Sequence, residues 1–264
     1  MQKQSDLPAA NLPLNNQSQG TGDVHWGALW AVVYALVLYV AVPVVVAVGL
    51  LGVASVLWGD VAARHWLNGA VSAQFVYIVL VEFLTVGAIV GFMRARHTSV
   101  RAIGLNKPKL GHIGLALLGF SAYFLLYIAA AALASVLVPS LDFEQKQQLG
   151  FDAARSTTDL VLTAISLVVL PPLAEEIVFR GFLYSGLRRR FRVWPAALIT
   201  SLLFGMGHLQ FASGEPLLWV AMLDTCVLSL VLCYVRERGG SLWPGIFIHA
   251  TKNAVAFSAL FLFK

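Results

Sequence analysis

The sequence predicts an all-α, polytopic membrane bundle of about seven transmembrane helices. Three observations predict it. Of 264 residues, 59% are hydrophobic and only 12% charged, whereas a soluble domain carries about a quarter charged residues. Seven apolar runs, at roughly 27–57, 73–93, 111–138, 160–187, 195–212, 217–235 and 241–263, are each read as crossing about 30 Å of hydrocarbon. The basic residues fall in the short loops between runs, as bilayer orientation demands.

Taken in order, residues 1–24 are rich in Gln, Asn, Ser, Pro and Gly and have no apolar face, so a disordered polar tail is expected there. A transmembrane domain follows over 25–264. The first apolar run begins near Trp26 and exceeds a signal-peptide core, which reads as a retained span. Pro43 inside it predicts a kink rather than a break. Arg94, Arg96, Arg101, Lys107 and Lys109 join runs two and three. Arg188, Arg189, Arg190 and Arg192 join four and five, and Arg236 and Arg238 join six and seven. The intervening loops are acidic or nearly neutral. All three basic loops then share one side, which predicts a cytoplasmic N-terminus in a cell (plasma) membrane protein. Net charge +5 and pI ≈ 9.4 do not suggest nucleic acid, because the cations are spread over these loops. Cys226 and Cys233 lie seven apart in one run, about 10 Å along a helix axis, too far for a disulfide.

Residues 171–187 hold the first unusual chemistry. Glu175, Glu176 and Arg180 interrupt an apolar run, where ionisable groups are costly and point to function. His208, His249 and Asn253 are further polar groups in later runs. At 1.5 Å per residue, Glu175 lies about 20 Å from Arg188, and His208 about 20 Å from Pro195. His249 and Asn253 lie about 12 and 18 Å from Ser241. Three helices thus place polar groups in one slab of the bilayer. Glu176 and Arg180 are i,i+4 on one face, with Glu175 turned about 100° away. His249 and Asn253 share the same spacing, as do Phe204 and His208, and Gly205 and Gly207 allow close approach.

This set suits activation of water against a carbonyl. A desolvated carboxylate is a useful base near neutral pH, a neutral histidine can position the same water, and imidazole and amide N–H groups can hold an oxyanion. No serine or cysteine has an evident base partner, and no HExxH helix is present. No cofactor is the first expectation. Zinc or another divalent metal on Glu175, His208 and His249 is the alternative from the same residues. Glu82 and Asp224 are expected to be structural, paired with groups such as Lys252. A transporter relaying protons or ions through these residues is a competing class.

Glu175-Glu176-x-x-x-Arg180, Phe204-x-x-x-His208 and His249-x-x-x-Asn253, in this order on three helices, resemble the three motifs of the CPBP family. That family groups CAAX prenyl endopeptidases with bacteriocin-processing and immunity (Abi) proteins. The resemblance covers about 160–264 and includes the run 240–254. It implies an intramembrane endopeptidase acting on a peptide or membrane-protein substrate, or a non-catalytic immunity protein of the same fold. It further implies Glu175 as base, His208 as its partner on the water, and His249 and Asn253 as oxyanion donors. Glu176 and Arg180 would support them.

Overall fold

The computed structural model describes residues 24–145, 147–210 and 216–263, and every regular element among them is helical. Helix α1 spans Ala28–Trp58, α2 Asp60–Gly69, α3 Val71–Ala95 and α4 Leu110–Leu137. Helix α5 runs Thr157–Arg188, α6 Val193–Met206, α7 Trp219–Gly239 and α8 Trp243–Leu262. Six of the eight are long and apolar enough to cross a membrane, and α6 is a shorter apolar helix. The protein is an integral membrane protein, and about seven spans is consistent with this set.

Helix α1 continues through Pro43 without a break. Between α1 and α3, where only a loop was expected, the chain forms the short amphipathic α2. Gly59, at φ 81°, separates it from α1, and Trp66 packs edge-on against Trp58 at 5.3 Å. The polar tail expected at 1–24 lies outside the described residues except for Val24, which is buried with Trp26 in the main core. Helix α6 is shorter than the run read at 195–212. It ends at Met206, with Gly205 and Gly207 weakening the last turn and Gln210 at φ 53° turning the chain away.

Helix α5 is the centre of the bundle and touches α1, α3, α6, α7 and α8. Ser156 and Asp159 start it with a reciprocal capping box: each side chain accepts the other's backbone N–H at 3.1 Å. Two wide π-type stretches, Ile165–Val169 and Glu176–Leu183, interrupt its α-helical turns. Pro171 and Pro172 follow the first stretch and lack the N–H groups that Leu167's carbonyl would otherwise accept at i+4 or i+5. Toward its end, Gly186 lets α1 approach so closely that a Cβ there would lie 2.4 Å from Ala31. Trp26 stacks on Phe182 at 4.7 Å and donates to the Phe182 carbonyl at 3.1 Å.

The loops sort onto two ends. On one, Arg188 binds Glu237 at 2.8 Å, His25 contacts the Arg96 carbonyl at 2.7 Å, and Arg189 donates to the Val24 carbonyl. Leu242 donates its N–H to the Gly104 carbonyl at 2.9 Å on the same end. All three basic loops and the entry to α1 therefore meet. At the other end the Gln210 side-chain amide accepts from the Gln148 N–H at 3.4 Å and donates to the Gln148 carbonyl at 3.0 Å, tying the α4–α5 and α6–α7 connections.

Candidate active site

The second π-type stretch of α5 carries the paired glutamates' neighbourhood, and the two carboxylates face different surroundings. Glu176 is 1% exposed and forms an ion pair with Arg180 at 2.9 Å, while Arg180 is itself fully buried. The Arg180 guanidinium lies over the Phe204 ring, 4.4 Å from its centroid, so α6 supplies a cation–π partner deep in the bundle. Space for the Glu176 carboxylate comes from Gly245 on α8, where a Cβ would stand 2.7 Å from Oε2. Such a pair is costly to desolvate, and removing either partner leaves a buried charge uncompensated.

Glu175 faces the other way. Its side chain is 23% exposed and lines a cavity of about 390 Å³ between α1, α3 and α5, with Tyr39, Pro43, Glu82 and Phe179 among the walls. Tyr39 donates to the Gly207 carbonyl at 3.0 Å, and a Cβ at Gly207 would strike its hydroxyl at 2.5 Å. The glycine expected to admit close approach thus admits a tyrosine of α1. Gly205 does the same for α7, where a Cβ would lie 3.0 Å from the Met222 carbonyl.

His249, on α8, is buried between the two carboxylates. Its Nδ1 lies 3.4 Å from Glu176 Oε1, and its Nε2 lies 3.7 Å from Glu175 Oε2. The second distance is beyond hydrogen-bond range. His208 stands in the turn just after α6 rather than within a helix, and its Nδ1 contacts the Phe204 carbonyl at 2.9 Å. A carbonyl only accepts, so that contact assigns the proton to Nδ1 and leaves Nε2 with a lone pair. Phe204 separates the two imidazoles, with ring centroids 4.8 Å from His208 and 5.8 Å from His249. Glu175, Glu176, Arg180, His208 and His249 therefore form one cluster around Phe204.

Asn253 has a different first partner from the one its motif implies. Its Nδ2 donates to the Leu167 carbonyl at 2.8 Å, the carbonyl that Pro171 and Pro172 leave without a helical donor. The amide is thus a clamp between α8 and the break in α5, with one N–H remaining.

Of the two further acidic groups, Asp224 is paired as expected. Lys252 lies 2.9 Å from its Oδ2 and Tyr123 bonds its Oδ1, which joins α4, α7 and α8. Glu82 is not. It has no side-chain hydrogen bond or ion pair among the described residues, and it opens into the cavity that holds Glu175. Its position mid-way along an apolar span was the signal, but sequence could not say which helix it would face. Among the described residues no three His, Cys, Asp or Glu side chains converge as a metal would require. Glu175, His208 and His249 in this arrangement do not fit a three-ligand zinc set.

Fold and cluster define a class: a polytopic helical membrane protein with a buried glutamate–arginine pair, two histidines and a cleft-facing glutamate. Within it, residues 157–255 match the family model described as "Type II CAAX prenyl endopeptidase Rce1-like", so the CPBP resemblance of the three motifs holds over that domain. The chain is also 35% identical over 99 residues to an "Uncharacterized 24.3 kDa protein" of Escherichia coli. That alignment covers 37% of this chain and 43% of the relative, so the chain spans less than half of the curated protein it matches. No solved structure matches.

Proposed function

We propose that this protein is an intramembrane endopeptidase in which Glu175 activates the attacking water. The observation that carries the reading is the division of labour between adjacent glutamates. Glu176 is neutralised and held by Arg180, whereas Glu175 reaches a cavity large enough for an extended peptide segment. A carboxylate in such a site is poised to take a proton from water as the oxygen attacks the peptide carbonyl. His208, through the free lone pair on Nε2, would hold the same water. As the imidazolium, His249 would keep its Nδ1–H on the Glu176 carboxylate and present a second N–H at Nε2, outside hydrogen-bond range of Glu175, to the developing oxyanion, and the spare N–H of Asn253 can add a second donor. Glu175 then returns the proton to the departing amine. Each step uses a group of this chain, and none is routed through a metal.

The depth of the cluster requires substrate to enter through the cavity between α1 and α3 or laterally between helices. A peptide or the end of a membrane protein suits that route. The membrane is the plasma membrane, with the basic end of the bundle in the cytoplasm. Protein purified in detergent, given peptides derived from membrane-protein termini, tests the reading. Wild type should cleave and Glu175→Gln should not, and activity should survive exhaustive chelation. Gradient-dependent ion flux without cleavage would contradict it, and one tightly held zinc per active chain would overturn the metal-free chemistry.

A further inference from the structure

A second concavity, of about 730 Å³, lies outside the cluster, between α4 and α7 and beside the start of α6. Leu118 and Leu126 of α4 and Leu230 of α7 form its walls, and Trp194 of α6 closes one side. Along α4 it extends from Leu115 to Leu126, roughly 16 Å at 1.5 Å per residue. One end is at the basic face of the bundle, where Tyr234 and Arg238 complete the lining. Arg238 Nε donates to the Tyr234 hydroxyl at 3.1 Å, which fixes the guanidinium at the mouth of the groove. No carboxylate neutralises it among the described residues, because the neighbouring Glu237 is committed to Arg188 at 2.8 Å.

A groove in the lateral surface of an integral membrane protein is filled by what the bilayer supplies. Here an apolar trough of acyl-chain depth ends in an unneutralised cation at the interface. Arg192, the residue before α6, and Lys109, the residue before α4, add positive charge at the same end of the bundle. We infer that this groove is a binding site for one anionic glycerophospholipid, with an acyl chain between α4 and α7 and the phosphate on Arg238. Cationic sites between spans on the basic side recognise anionic headgroups in this way. The inference does not depend on the protease reading, since none of these residues lies in the cluster around Phe204.

The test uses full-length protein in neutral detergent, with phosphatidylglycerol and phosphatidylcholine of identical acyl chains as probes. Native mass spectrometry should show one phosphatidylglycerol retained in preference to phosphatidylcholine by roughly fivefold or more, the ratio matching about 1 kcal/mol per interfacial arginine. Arg238→Gln should equalise the two lipids, and Arg238→Lys should keep most of the preference. Fluorescence reports on the same site in unmodified protein. Phosphatidylglycerol with brominated acyl chains should quench Trp194, read as wild type minus Trp194→Phe, more than brominated phosphatidylcholine does. Equal retention and equal quenching by the two lipids, or a preference that survives Arg238→Gln, would overturn the assignment.

Discussion

Glu175 and Glu176 are chemically identical neighbours, and their surroundings assign them opposite expected behaviour on substitution. Glu176→Gln leaves the fully buried Arg180 without its counter-charge, so a loss of roughly 3–5 kcal/mol is expected, read as a large drop in thermal stability in detergent. Glu175→Gln removes no ion-pair partner of Arg180 and should unfold at the wild-type temperature while losing all turnover. Gly245→Ala tests the same geometry from α8. The added methyl would meet Glu176 Oε2 at 2.7 Å and should push the carboxylate off Arg180, lowering activity and stability together. Unchanged melting for Glu176→Gln and Gly245→Ala would show that the buried pair does not organise the site. Glu82 belongs to this scale as well. Its carboxylate shares Glu175's cavity without a partner among the described residues, so Glu82→Gln should alter activity while leaving melting nearly unchanged.

At the scale of elements, the break in α5 and the clamp from α8 are two halves of one device. Pro171 and Pro172 orphan the Leu167 carbonyl, and Asn253 satisfies it from another helix. Asn253→Ala should therefore cost about 1–3 kcal/mol of stability by leaving a partly buried acceptor unmet, besides slowing turnover. Pro171→Ala restores a backbone N–H at i+4, so the cost of Asn253→Ala should shrink in that background by roughly 1 kcal/mol. Strict additivity in this double-mutant cycle would separate the amide from the break. The same elements show what sequence could and could not reveal. The order of the motifs, the depth of Glu175 and the i,i+4 pairing of Glu176 with Arg180 follow from helical rise and phase alone. The partner of Asn253 does not, because it depends on how α8 docks against a carbonyl freed in α5, three helices earlier in the chain. Nor does the end of α6, where a largely apolar run continues past a terminus set by two glycines and by Gln210 in the left-handed region. Asp224 found its expected cation in Lys252, which lies inside the α8 motif as the residue before Asn253. Glu82 found none among the described residues: around the cavity α1 and α5 bring Leu38, Tyr39, Pro43, Glu175, Val178 and Phe179 to it, and none of these is a cation.

Across the whole molecule, the contacts among the three basic loops and the entry to α1 support the topology that charge distribution predicts. Reporter fusions after Lys109 and after Arg192 should report the cytoplasm, and one near Gly150 the opposite side. A reversed signal at any of the three would break the seven-crossing arrangement that brings α5, α6 and α8 together at one depth. In the function proposed above, that arrangement would hold Glu175 against a cleft inside the membrane, where it would act on water. The most direct measurement compares protein termini in membranes from cells producing wild-type or Glu175→Gln protein at equal levels. New termini, arising from hydrolysis within or beside membrane-spanning segments, should be present with wild type and absent with Glu175→Gln. The same set of termini in both samples would rule out Glu175 as the group that activates water.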